Sequence, residues 1–183
     1  MHKLDWQIEG DLGPHSHTAI FTVETTSAGT ARLLVGVPGD DSSVLSKLIE
    51  CLAPPFYILY VLHTSRGEGD PGRYQSPQLG LDEVQSFISR FSHFFSGDAR
   101  FDLWVHSPTS GGTLIWERHN LIYGYGPMDC YSTTLDAIDF SEGVPVVPSP
   151  HVHNYRQEFD EDAKALLSMF SWQFSELRPE DEQ

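Results

Sequence analysis

The stretch FYILYVLH, residues 56–63, constrains the fold of this chain more than any other. It is the most hydrophobic segment in the sequence, and a run apolar on both faces is expected to form a central β-strand covered on both sides. Two further segments read as its companions. ARLLVGV (31–37) is nearly continuous apolar and suggests an interior strand, and FDLWVH (101–106) alternates as a strand does.

Helices separate these strands. After GDD (39–41), Ser42 or Ser43 can cap a helix in which Val44, Leu45, Leu48, Ile49 and Leu52 share one face, and Pro54-Pro55 ends it. In LDEVQSFISRFSHFF (81–95), Val84, Phe87, Ile88 and Phe91 form an apolar stripe. Asp82 and Glu83 complement the N-terminal dipole, and Gly97 stands where a C-cap belongs. If both helices are right-handed crossovers, the three strands run parallel as a βαβαβ unit. Their C-terminal ends then share one edge, the usual place for a ligand in an open α/β sheet. That edge would gather His63, Arg66, Arg73, His106 and Ser107 as candidate ligand-binding residues. Arg66 and Arg73 sit in a long Gly-rich loop (64–80), suited to clamping a carboxylate or phosphate, although the loop has no recognised phosphate-cradle order.

Around this unit the pattern is mostly β. LDWQIEG and TAIFTVET (18–25) alternate and open an N-terminal meander. TLIWER and NLIYGYG pair around a turn at 118–120, and Pro127 can open a helix carrying Met128, Tyr131, Leu135 and Ile138. EGVPVVPSP (142–150) is extended, and its prolines place it at an edge or in a covering loop. A last helix is expected from about Asp160, with Phe159, Ala163, Leu166, Leu167, Phe170, Phe174 and Leu177 on one face. The fold class is therefore α/β or α+β: a mixed sheet of about six to eight strands packed with three or four helices. Residues 1–178 are expected to form a single globular domain and 179–183 a frayed acidic tail.

At 183 residues the chain suits one domain, and a domain this size buries roughly 70% of its unfolded surface without help from disulfides or metals. Its formal charge of −15 argues against nucleic acid, because binding there is driven by Lys and Arg displacing counterions. It argues equally against anionic membranes, while a basic protein partner would be attracted. No apolar run approaches the roughly 20 residues that span a bilayer, and the N-terminus lacks a signal-peptide pattern. The two cysteines, Cys51 and Cys130, each fall in a predicted helix and read as reduced, buried thiols of a cytoplasmic protein.

The histidines supply the other candidate chemistry. In an extended segment residues i and i+2 point the same way, so His151 and His153 in SPHVHNYRQEF can reach one metal, as can His15 and His17 in GPHSHT. The two pairs together offer four nitrogen ligands to a divalent metal such as zinc. Glu158 follows the second pair as in part of a cupin motif, but EFDEDAKALL runs directly into a helix with no glycine turn, which excludes that family. His63, His106 and His119 lie at predicted strand ends, and ERHN (117–120) has ordinary turn composition. No nucleophile elbow is present. The expected function is a small acidic protein-binding module of immunity or antitoxin type. The alternatives are a small-molecule binder or enzyme using the His63/Arg66/Arg73/His106 edge, and a metal-binding protein using the two HxH pairs.

Overall fold

Alternation along the strands divides the main sheet into a wet and a dry face, and everything else follows from which face the helices cover. The computed structural model describes residues 2–9 and 11–181. In chain order it has β1 (Leu4–Ile8), β2 (Asp11–Pro14), β3 (Ile20–Thr25), β4 (Ala31–Gly36), α1 (Ser42–Ile49), β5 (Tyr57–Leu62), β6 (Gly72–Gln75), α2 (Leu81–Arg90), α3 (Ser92–Gly97), β7 (Phe101–Ser107), β8 (Gly112–Trp116), β9 (Leu121–Tyr125), α4 (Met128–Asp136), β10 (Ser141–Glu142), β11 (His151–His153), α5 (Asp160–Leu167) and β12 (Gln173–Ser175). Nine strands form one mixed sheet in the order β10-β3-β4-β9-β8-β7-β5-β6-β12, and β11-β1-β2 form a second, three-stranded sheet. The chain is thus mixed α/β, as its pattern implies, with more strands than the pattern resolves.

The register explains the core. Tyr60, Leu103, Trp116, Ile122, Val35 and Phe21 lie in one row across five strand pairs, and all are buried. Against that row pack Val44, Leu45, Leu48 and Ile49 of α1, Val84, Phe87 and Ile88 of α2, Phe94 and Phe95 of α3, and Tyr131 and Leu135 of α4. The neighbouring row, Leu59, Trp104, Ile115 and Tyr123, points the other way and stays half-exposed. β5 is therefore an interior strand, but only its Ile58, Tyr60, Leu62 face is under helices. Helix ends are satisfied locally: Asp41 accepts the Ser43 N–H at 2.8 Å at the start of α1, and Glu83 accepts the Gly80 N–H at 2.7 Å before α2.

Four expectations are corrected. First, the parallel βαβαβ arrangement is absent. β5 pairs with β7 antiparallel, β4 pairs with β3 and β9, and among the described residues the one parallel pair in the large sheet is β10 with β3. A helical connection of this length can return to an antiparallel neighbour as well as a parallel one, so periodicity alone does not fix direction. Second, the last helix stops at Leu167. The Trp172 indole donates to the Leu166 carbonyl at 3.2 Å, and Phe170 and Trp172 fold back onto Phe87 at ring separations of 5.7 and 6.2 Å. The freed chain becomes β12 against β6. Tertiary contact here outweighs helical propensity.

Third, the acidic terminus is folded as far as Asp181, which is buried against Arg73; Glu182 and Gln183 lie outside the described residues. Fourth, Cys51 and Cys130 are not free thiols. α1 and α4 pack side by side, the Cα atoms of Cys51, just past the end of α1, and of Cys130 in α4 are 5.8 Å apart, and the two sulfurs are joined. Among the described residues no helix is long and apolar enough to cross a membrane.

The three-stranded sheet leans on the end of the large sheet where β8 ends and β7 and β9 begin. Lys3, fully buried, places its ammonium 3.9 Å from the Trp116 ring centre and 4.9 Å from that of Phe101. Below it a charged network ties the long loop and the C-terminal helix together. Buried Arg100 donates to both carboxylate oxygens of Asp98 at 2.9 Å, and to Glu68 and Asp160 at 3.1 Å. Burial disfavours its charge, yet the hydrogen bonds and charges of Asp98 and Glu68 outweigh that and raise its pKa.

Candidate metal centre

The small sheet exists to a large extent because β1 can serve two partners. It pairs Leu4 with His153 and Trp6 with His151 on one side, and Trp6 with Gly13 on the other. A side chain at Gly13 would collide with the Trp6 indole, which covers it. The His15 N–H continues this ladder to the Leu4 carbonyl at 3.0 Å. His153, Leu4 and His15 therefore stand in one row across the three segments, with buried Leu4 between the two histidines.

The β8–β9 hairpin tip meets this row. Asn120 holds a positive φ of 63°, which asparagine tolerates in a turn. Its side chain accepts from the Trp116 indole at 2.7 Å and donates to the Val37 carbonyl at 2.9 Å. Glu117 accepts the His119 N–H at 2.9 Å through Oε1 and pairs through Oε2 with His119 Nδ1. The Asp102 carboxylate accepts the Arg118 N–H at 2.9 Å and bonds His63 Nε2 at 2.8 Å. The tip is thus fixed on three sides, and His119 projects from it toward β11.

Side-chain nitrogens of His119, His151 and His153 all lie within 4.8 Å of one another. Their rings are 4.8 to 5.1 Å apart. Nitrogens bound to one tetrahedral zinc stand about 3.3 Å apart when Zn–N is about 2.0–2.1 Å, so small side-chain rotations close the difference. In two of the three rings the other nitrogen is already engaged. Facing a carboxylate and a carbonyl, His119 Nδ1 must donate to Glu117 and His151 Nδ1 to the Pro148 oxygen at 2.8 Å. That leaves Nε2 of both as lone-pair donors, the tautomer that outer carboxylate and carbonyl partners select in metal sites. His153 Nε2 is buried and has no hydrogen-bond partner among the described residues. Burial, together with the charges of His119 and His151, pushes its pKa down to about 4, so it is a neutral ligand near neutrality.

His15 and His17 complete the cluster. Their rings meet edge to face at 4.5 Å. His17 is almost fully buried, and its Nε2 bonds the His119 carbonyl at 3.0 Å. Burial lowers the pKa of both. The two histidine pairs thus lie on the same side of the small sheet, but among the described residues only His119, His151 and His153 bring their nitrogens within 4.8 Å of one another. In the sequence His119 is a histidine in a hairpin tip, which carries no spacing signal to partners some thirty residues away.

The ligand-edge residues do not converge. Tyr57 faces His106 at one end of the β5–β7 pair and Leu62 faces Phe101 at the other, so His63 and His106 are roughly 20 Å apart at 3.4 Å per residue. Arg66 bonds Asp160 at 2.9 Å, Arg73 bonds Asp181, and Ser107 donates to the Ala53 carbonyl. His106 bonds Thr113 at 2.9 Å and borders a depression of about 450 Å³ with Tyr57, Leu59, Gln75 and Trp104. With antiparallel β5 and β7, the shared crevice loses its geometric basis, and His63 instead supports the histidine centre through Asp102.

Comparison with protein-family models, with curated proteins and with solved structures found no match.

Proposed function

We propose that this protein binds a divalent transition-metal ion of the zinc class through His119, His151 and His153. One observation carries the reading: three imidazole nitrogens lie within 4.8 Å of one another, and two of their rings are held in the ligating tautomer by Glu117 and the Pro148 carbonyl. An all-nitrogen set suits zinc, copper or nickel rather than calcium or magnesium, which take oxygen ligands. Isothermal titration of chelator-stripped protein with zinc should give close to one ion per chain. The double variant His119→Ala/His151→Ala should bind none at the same concentrations. Equal zinc uptake by both proteins would refute the assignment.

A second reading, docking of a basic protein partner by an acidic module of immunity or antitoxin type, is supported by the charge of −15 and by the half-exposed row Leu59, Trp104, Ile115 and Tyr123. Its signature is an association rate that falls steeply with salt. The Cys51–Cys130 disulfide favours an oxidising compartment over the cytoplasm.

A further inference from the structure

We infer that His15 supplies a fourth nitrogen, so that the ion sits in a closed four-histidine site clasping the three-stranded sheet to the β8–β9 hairpin tip. The inference rests on the metal-binding reading and adds the coordination number and the role of the ion.

Two members of the first HxH pair compete for the position, and their hydrogen bonds separate them. His17 Nε2 is committed to the His119 carbonyl, so His17 holds the backbone of a ligand rather than the ion. His15 Nε2 is buried with no hydrogen-bond partner among the described residues, the same condition as His153 Nε2. A buried ring nitrogen without a partner is costly, and two such nitrogens in one cluster both lose that cost on binding one cation. The backbone places them together. His15 bonds Leu4 through its N–H, and Leu4 is the register partner of His153, so the two side chains rise from the same face of the small sheet on either side of Leu4.

Four protein nitrogens leave no position for water. Closed tetrahedral sites are structural, whereas catalytic ones keep an open position. The ligands come from three separate parts of the chain: the segment after β2, the hairpin tip and β11. The ion therefore closes contacts that strand pairing alone makes over a few residues, and metal affinity becomes folding energy for that region.

Cobalt(II) tests this, because zinc is spectroscopically silent and cobalt reports coordination through its d–d bands. The full chain should give the intense absorption of a four-coordinate cobalt complex, unchanged by added azide. His15→Ala should bind cobalt at least roughly 10-fold more weakly, by the measure of what even outer partners of a metal site are worth, and should become azide-sensitive as solvent enters the vacated position. His106→Ala, at the far end of the large sheet, serves as a control for substitution itself. An azide-sensitive wild-type complex, or a His15→Ala complex with unchanged affinity and spectrum, would overturn the four-ligand site while leaving a three-histidine site standing. If the wild-type chain took up neither cobalt nor zinc, both readings would fail. The wild-type azide measurement decides the matter even where His15→Ala folds poorly.

Discussion

The two sheets are held together by different means. The large sheet is sealed on one face by five helices, whose buried residues form one continuous apolar cluster with the strands. The Cys51–Cys130 bridge and the Arg100 network reinforce it. The small sheet has three short strands, leaves Leu12 and Val152 exposed, and contributes Leu4 as its fully enclosed apolar residue, with Lys3 laid across aromatic rings. Where the large sheet places leucine and phenylalanine at its interface, the small one places histidine. Apolar packing is indifferent to solutes, whereas an imidazole cluster changes its energy when a cation arrives. The difference teaches where this molecule can respond to its surroundings.

Substitutions can break or sharpen that contrast. The largest effect is expected on the large sheet from the disulfide. Its cysteines are 79 residues apart, and chain-entropy loss for such a loop amounts to about 4.5 kcal/mol. Cys51→Ser should lower the denaturation midpoint accordingly, with or without zinc, and a thiol assay on unfolded, unreduced wild-type protein should find no free thiol. Next comes Arg100→Ala, which strands the buried Asp98 carboxylate and should cost about 3–5 kcal/mol in urea unfolding. If zinc rescued either variant in full, the two regions would not be separable.

Smaller changes probe the small sheet. Glu117→Gln removes the anionic acceptor from His119 Nδ1 and should weaken zinc binding by roughly 10–100-fold while moving the urea midpoint of metal-free protein little. Asp102→Asn, which loosens the bond to His63 and the hairpin tip, should follow the same pattern in a zinc titration. The smallest effect is expected from exposed His106: His106→Ala should stay within about 0.5 kcal/mol in stability and leave zinc affinity alone.

Much of the large sheet was legible because period-2 alternation names the buried face of a strand. FDLWVH alternates in the sequence as Phe101, Leu103 and Val105 alternate in the core. What alternation does not name is the partner strand or its direction, so the antiparallel β5–β7 pairing and the dispersal of His63 and His106 came from the structure. β2, β6, β11 and β12 are three or four residues long and carry too little pattern to register. The pair Cys51 and Cys130 gave no sign of bonding, since two cysteines far apart have no spacing to read. The histidine centre was half legible: HxH in extended chain placed His15 with His17 and His151 with His153. The meeting of the two pairs, and His119 between them, depends on β1 joining both segments, a long-range pairing that no local pattern encodes.

Hydrogen–deuterium exchange on zinc-loaded and chelator-stripped protein tests the central claim most directly. Removing the ion should accelerate exchange in residues 3–9, 11–17, 117–120 and 151–155, and leave α1, α2, β5 and β7 unchanged. Identical exchange in the two states, or a loss of protection spread evenly over both sheets, would contradict the account of a metal clasp at one end of an independently stable fold.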